Sequence, residues 1–202
     1  MKRLQFDTIV VATRNSGKLR EFRGLLQPLR CGILSLRDIG IEEEVEEHGA
    51  TFAENARIKA LGYSRFTSLP VLADDSGLEV AALGGRPGIH SARYAGEGAS
   101  DSDRIRKLLA ELDQTRSESS ARFVCALALA QEGAVILESE GECAGVIIPE
   151  PRGANGFGYD PIFLFPTLNK TFAELTDPEK NRQSHRSHAV AALLNKLVNR
   201  NS

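Results

Sequence analysis

Two adjacent carboxylates, Asp74 and Asp75, end the short apolar run Val71-Leu72-Ala73 and stand before Ser76-Gly77. A buried strand that delivers acids to its carboxyl end is how α/β enzymes present reactive groups at a sheet edge. Gly84, Gly85, Pro87 and Gly88 follow as a loop whose backbone can pass close to a ligand, and Arg93 stands just beyond it. Acids suited to a metal and a cation suited to an anion therefore share one stretch, as a metal–phosphate site requires. The same residues also fit a hairpin with solvated aspartates at its tip. The spacing predicts a turn at Ser76-Gly77, with extended chain resuming at Leu78-Glu79-Val80.

A second candidate lies near the N-terminus. Thr13, Arg14, Asn15, Ser16, Gly17 and Lys18 connect a predicted strand over Thr8–Ala12 to a predicted helix from Lys18 to Leu29. That helix has Leu19, Phe22, Leu25 and Leu26 on one face. Strand, polar loop and helix N-terminus together aim free backbone N–H groups and the positive helix end at an anion, and Lys18 adds a full charge. An ordinary turn with a solvated lysine is the competing reading. The loop is not a Walker A motif, because Ala12 replaces its first glycine and Leu19 its Ser or Thr.

Two further stretches carry chemistry. Thr51 with Glu54 reads as a capping box opening a helix that extends to Phe66, with Asn55 and Lys59 on one face. By itself Lys59 reads as a surface lysine. In Pro149–Phe165 the glycines Gly153, Gly156 and Gly158 alternate with Asn155, Phe157, Tyr159 and Asp160, a pattern that offers either a flat face to a base or a well-packed turn. Asp177 and Pro178 predict the start of a last helix, with Lys180, His185 and Arg186 in its first two turns. Basic residues there oppose the helix dipole, which suggests that an anion compensates them.

The elements that must position these groups alternate between strand and helix. Cys31–Leu36 reads as a second strand. Ile105, Leu108, Leu109 and Leu112 give a helix opened by Ser100 and Asp103. Ala121–Ala130 and Val135–Glu140 predict a strand pair turned at Glu132-Gly133, with a further strand over Gly141–Ile148. The 202 residues fit one domain, 1–202, of α/β class. A formal net charge of −2 gives the surface no reason to seek nucleic acid or an anionic membrane, so phosphate binding must come from a few placed cations. Cys31, Cys125 and Cys143 are odd in number and widely spaced, which argues for a reducing, cytoplasmic setting without disulfides or zinc. The longest N-terminal apolar run, Ile9-Val10-Val11-Ala12, is too short for a signal or a membrane span.

Taken together, the segments resemble the inosine/xanthosine triphosphate pyrophosphatases, enzymes that remove non-canonical purine nucleotides. The resemblance rests on Thr13-x-Asn15-x-x-Lys18-x-x-Glu21, on Thr51-Phe52-Ala53-Glu54-Asn55 with Lys59, and on Ala73-Asp74-Asp75-Ser76-Gly77-Leu78. Gly88-Ile89-x-Ser91-Ala92-Arg93-Tyr94, Gly156-Phe157-Gly158-Tyr159-Asp160-Pro161 and Lys180 with Ser184-His185-Arg186 complete it, in order along nearly the whole chain. It implies an elongated mixed β-sheet flanked by helices, two lobes with an active-site cleft between them, and a homodimer. It implies hydrolysis of ITP, dITP and XTP to monophosphate and pyrophosphate. Thr13 to Lys18 would form the phosphate loop, and Asp75 would be the acid–base residue and a Mg²⁺ ligand. Glu46 would be the second metal carboxylate, with Glu47 and Glu42 to Glu44 as alternatives, and Asp74 would support geometry. Lys59 would lie near the metal and Ser76 would touch substrate. Phe157, Gly158, Tyr159 and Asp160 would hold base and ribose, with Lys180, His185 and Arg186 closing on base and phosphates.

Overall fold

The computed structural model describes residues 6–115 and 119–200. Seven strands form one mixed sheet in the order β2-β1-β3-β4-β5-β6-β7. The N-terminal strand β1 (Thr8–Val11) lies parallel to both β2 (Gly32–Ser35) and β3 (Val71–Val80). Ile9 pairs with Ile33, and Val11 with Leu72. Helix α1 (Ser16–Leu25) crosses from β1 to β2, and α2 (Phe52–Tyr63) precedes β3. Helix α3 (Asp101–Thr115) leads to β4 (Ser120–Gln131) and β5 (Ala134–Ile147), then the short antiparallel β6 (Phe163–Phe165) and β7 (Lys170–Thr171). Helices α4 (Asp177–Gln183) and α5 (His185–Arg200) end the described chain.

Local signals explain most boundaries. Asn15 caps α1 by accepting the Lys18 N–H at 2.9 Å, so this helix begins two residues before the predicted Lys18. Thr51 accepts the Glu54 N–H at 3.1 Å while Glu54 accepts from Ala50 at 2.7 Å, the predicted capping interaction displaced by one residue. Ser100 and Asp103 exchange bonds at the start of α3 as expected. Glu132 and Gly133 have φ of 50° and 76°, the left-handed pair that a two-residue hairpin turn needs.

Three expectations are corrected. There is no turn at Ser76-Gly77: β3 runs unbroken from Val71 to Val80 with nearly every residue buried. Its acids sit in extended chain because side chains from other elements satisfy them, Lys18 at Asp74 and Asn55 at Asp75. The predicted strands Val135–Glu140 and Gly141–Ile148 are one strand, β5. The predicted last helix is two: Thr176, not Asp177, caps α4 in a capping box with Glu179, and Ser184 at φ −77° and ψ 157° breaks the chain before α5.

The chain divides into two compact units, each with its own core. One comprises Met1–Asp75, Cys125–Gly141 and Arg186–Ser202; Phe22, Leu26, Leu72, Leu127, Leu129 and Leu193 fill it. The other comprises Ser76–Val124 and Glu142–His185. Its centre is aromatic: Phe163 lies 4.6 Å from Phe123 and 4.9 Å from Phe172 between ring centroids, both tilted.

Candidate active site

In the first unit, Asp74 and Asp75 are both buried, at 2% and 8% exposure, and lie on opposite faces of β3 by its twofold alternation. Different partners therefore meet them. Lys18, on the first turn of α1, reaches Asp74 at 2.8 Å, and the Arg186 Nε stands 3.9 Å from the same carboxylate. Arg186 also donates to Glu21 at 2.8 Å, although the two are 165 residues apart. Burial would raise Asp74, but Lys18, Arg186 and Lys59 outweigh it and hold its carboxyl down at about 2. Burial likewise opposes the Arg186 charge, and Glu21 and Asp74 overcome it. The anion expected to compensate Arg186 is thus supplied by the chain itself. Cys125 is buried as expected, and that burial, with Asp74, drives its thiol up.

Asp75 faces a second set. Its Oδ2 accepts from the Asn55 amide at 3.0 Å, while the Asn55 Oδ1 accepts the Gly49 N–H at 2.8 Å. A Cβ on Gly49 would come within 2.7 Å of that Oδ1, so glycine permits this approach. Asn55 thereby ties the acidic segment to β3. Lys59, one turn further along α2, lies 3.2 Å from Glu47 and 3.9 Å from Asp75. Its side chain is only 13% exposed, which corrects the surface-lysine reading. Burial works against the Lys59 charge, but Asp74, Asp75 and Glu47 outweigh it and raise its pKa. At Asp75 burial wins: the carboxyl sits above its ordinary 3.8 despite Lys59 and Lys18, and Glu47 adds to the rise. A buried carboxylate poised upward beside a lysine has the character of a proton acceptor.

Around these acids, the loop Thr13–Lys18 shapes the N-terminus of α1. Thr13 Oγ1 accepts the Asn15 N–H at 3.2 Å, and Arg14 donates to the carbonyls of Glu42 and Glu43 at 2.6 and 2.8 Å. The N–H groups of Ser16 and Gly17 have no intrahelical partner by construction. A cavity of about 680 Å³ lies against this loop, bounded further by Leu36, Arg37 and Ile41. Glu46 is exposed, whereas Glu47 is the acid that Lys59 links to Asp75.

Ser76, Arg93, Phe157 to Asp160, Lys180 and His185 belong to the second unit. Asp160, 2% exposed, accepts the Phe157 N–H at 2.9 Å and the Lys180 ammonium at 2.5 Å. That ammonium stands 4.9 Å over the Phe157 ring. Tyr159 is buried and donates its hydroxyl to the Ser91 carbonyl at 3.1 Å. A Cβ on Gly156 would fall 2.0 Å from the Asp160 Oδ2, so the loop closes on its own carboxylate only with glycine there. His185 stacks on Phe123 at 4.7 Å. Of the loop side chains, only Phe157 keeps part of its surface open; Tyr159 and Asp160 fix the loop. Ser76 is half-buried, and Arg93 is exposed at the end of the turn Gly88–Arg93.

Sequence reasoning left Asn55 and Glu21 without roles, although both sit inside the quoted motifs. The signal was their place one helical turn from Thr51 and Lys18 respectively, on helices that also carry a lysine of the site.

The fold and these groups define a class: an α/β protein whose capped loop can receive an anion beside a buried, upward-shifted carboxylate. Within that class the chain belongs to the Ham1 family, whose model it matches over residues 9–196. It is 50% identical over 186 residues to a dITP/XTP pyrophosphatase of Bacillus licheniformis, covering 92% of this chain and 95% of that protein. A dITP/XTP pyrophosphatase of Geobacillus kaustophilus is 52% identical, with 92% and 91% covered. Among solved structures, a HAM1 protein from Coxiella burnetii superposes with a TM-score of 0.85 at 45% identity, over 95% of this chain and 98% of that one.

Proposed function

We propose that this protein hydrolyses non-canonical purine nucleoside triphosphates, ITP, dITP and XTP, to the monophosphate and pyrophosphate. The observation that carries the reading is Asp75, buried and shifted upward, bonded to Asn55 and 3.9 Å from Lys59. The two relatives named as dITP/XTP pyrophosphatases, at about half identity over nearly the whole chain, support the substrate class.

The donor set suits Mg²⁺, which takes hard oxygens and is held by one or two carboxylates together with substrate phosphates. Among the described residues no three His, Cys, Asp or Glu side chains cluster as a metal cage. Asp75 and Glu46 would hold it, with Glu47 as the nearer alternative to Lys59 and Asp75. Bound there, Mg²⁺ neutralises phosphoryl oxygens that would otherwise repel a nucleophile.

The chain's own residues supply the rest. Ser16 and Gly17 N–H groups and Lys18 receive the phosphates, and Lys59 adds charge that grows in value as negative charge builds in the transition state. Asp75 accepts a proton from the attacking water. The water oxygen bonds to the α-phosphorus, the bond from that phosphorus to the bridging oxygen breaks, and pyrophosphate leaves. In the second unit Phe157 offers its ring to the base, and Lys180, itself pinned by Asp160, holds that ring in place. A pocket that hydrogen-bonds a 6-oxo purine leaves polar groups unpaired against a 6-amino purine, so ITP is favoured over ATP. We further infer a cytoplasmic homodimer, as the family resemblance and the odd, widely spaced cysteines suggest. Product analysis tests the reading: ITP with Mg²⁺ gives IMP and pyrophosphate, and IDP with orthophosphate would overturn it.

A further inference from the structure

The loop Phe157–Asp160 is held by a second carboxylate, one that belongs to neither the recognised motifs nor the cap of its own helix. Asp101, the first residue of α3, accepts the Gly158 N–H on its Oδ2 at 2.7 Å. Its Oδ1 pairs with Arg104. Arg104 in turn donates from its Nη1 to the carbonyls of Ala92 at 2.8 Å and Ala99 at 2.7 Å. The turn bearing Ala92 also carries Ser91, whose carbonyl receives the Tyr159 hydroxyl at 3.1 Å and whose Oγ accepts the Leu78 N–H at 2.9 Å. Gly158 has φ of +63°, a left-handed backbone that glycine adopts without strain. Asp160 fixes the Phe157 end of the loop from one side, while Asp101, anchored by Arg104, fixes Gly158 from the other.

We infer that Asp101 and Arg104 are positioning residues for purine selection, bracing the Gly158 backbone so that the Phe157 ring and its neighbouring peptide groups meet a 6-oxo base in one geometry. The inference rests on the proposed activity, since it names what sets that activity's base preference. A loop that can shift by a fraction of an ångström loses the match that separates a 6-oxo from a 6-amino purine, whereas the proton-accepting machinery in the first unit is untouched. Asp103 is the internal comparison. It caps the same helix through Ser100 but has no bond to the loop among those described.

The test compares the wild type with Asp101→Ala, Asp101→Asn and Asp103→Ala, measuring kcat and KM for ITP and ATP in Mg²⁺. Asp101→Ala loses one charge-assisted hydrogen bond to the loop and raises the ITP KM about tenfold. Its ITP-to-ATP ratio in kcat/KM falls by a similar factor, while kcat for ITP stays within about threefold. Asn keeps an oxygen for the Gly158 N–H but gives up the anchoring charge pair with Arg104, so Asp101→Asn recovers part of the ratio and falls between Asp101→Ala and the wild type. Asp103→Ala keeps the wild-type ratio even if it melts earlier. An unchanged ratio in Asp101→Ala, or an equal fall in Asp103→Ala, overturns the inference. A wild type that does not prefer ITP, or does not release pyrophosphate, overturns the proposed activity instead.

Discussion

Replacing Lys18 with Met keeps the aliphatic stem and removes the charge 2.8 Å from Asp74. Asp74 is held at about 2 against an ordinary 3.8. At 1.36 kcal/mol per unit this is roughly 2 kcal/mol of stability. No discount for solvent applies, because the side chain is 1% exposed. Burial is the largest influence on Asp74 and acts upward, and Lys18 is the strongest of the charges that oppose it. Without Lys18, Arg186 and Lys59 alone oppose burial, and the Asp74 carboxyl rises. Up to the whole of that contribution is lost at neutral pH, which lowers Tm by up to about 4–8 °C for a chain of this size. The sign follows from linkage: a depressed carboxylate stabilises above its unfolded pKa, and this stability drains away as pH falls through the folded value. The gap between wild type and Lys18→Met is therefore full above 3.8 and closes toward about 2. Urea unfolding across that range, with a chelator present so that no metal perturbs the acids, reads it directly. A gap that stays constant with pH, or is absent at neutral pH, would refute the reasoning.

Other perturbations probe separate parts of the site. Asp75→Asn keeps the side-chain shape but not the basicity, and kcat for ITP should drop by about two to four orders of magnitude with nucleotide still bound in equilibrium titration; near-normal turnover contradicts the assignment. Glu21→Ala leaves Arg186 buried without its 2.8 Å partner and should cost about 3–5 kcal/mol in urea unfolding. Glu138→Ala, which breaks the exposed pair with Arg57, should leave stability nearly unchanged, and equal effects would contradict the weight given to burial. Gly156→Ala forces a methyl to within 2.0 Å of the Asp160 Oδ2 at a residue with φ of +76°. Because Lys180 pins that carboxylate, the variant should lose about 1–3 kcal/mol and bind ITP less tightly; a wild-type melting curve would argue that the loop rearranges freely.

What the sequence made legible was mostly local. Asn15 before α1, Thr51 with Glu54, Ser100 with Asp103 and the Glu132-Gly133 turn are set by neighbours within a few residues, and each forms close to where spacing predicts. The misread stretches are those whose outcome depends on distant partners. Asp74-Asp75-Ser76-Gly77 has the composition of a turn, and it takes partners from distant elements, among them Lys18 of α1 and Asn55 of α2, to make it favourable to bury those acids in an extended strand. Lys59 has the sequence context of a surface residue until Glu47 and Asp75 approach it. The charge on Arg186 looked like a demand for a ligand because its partner, Glu21, lies 165 residues away. Helix α4 ends at Gln183 rather than continuing because Ser184 is extended, which places His185 against Phe123 in one unit and Arg186 beside Glu21 in the other.

The most direct test of the account follows the oxygen of the attacking water. Hydrolysis of ITP in ¹⁸O-labelled water, with both products examined by mass spectrometry, locates the phosphorus that is attacked. Water activated by Asp75 at the α-phosphorus puts one label in IMP and none in pyrophosphate. Label recovered in pyrophosphate, with IMP unlabelled, would mean attack at the β-phosphorus and would contradict the role given to Asp75 and its surroundings.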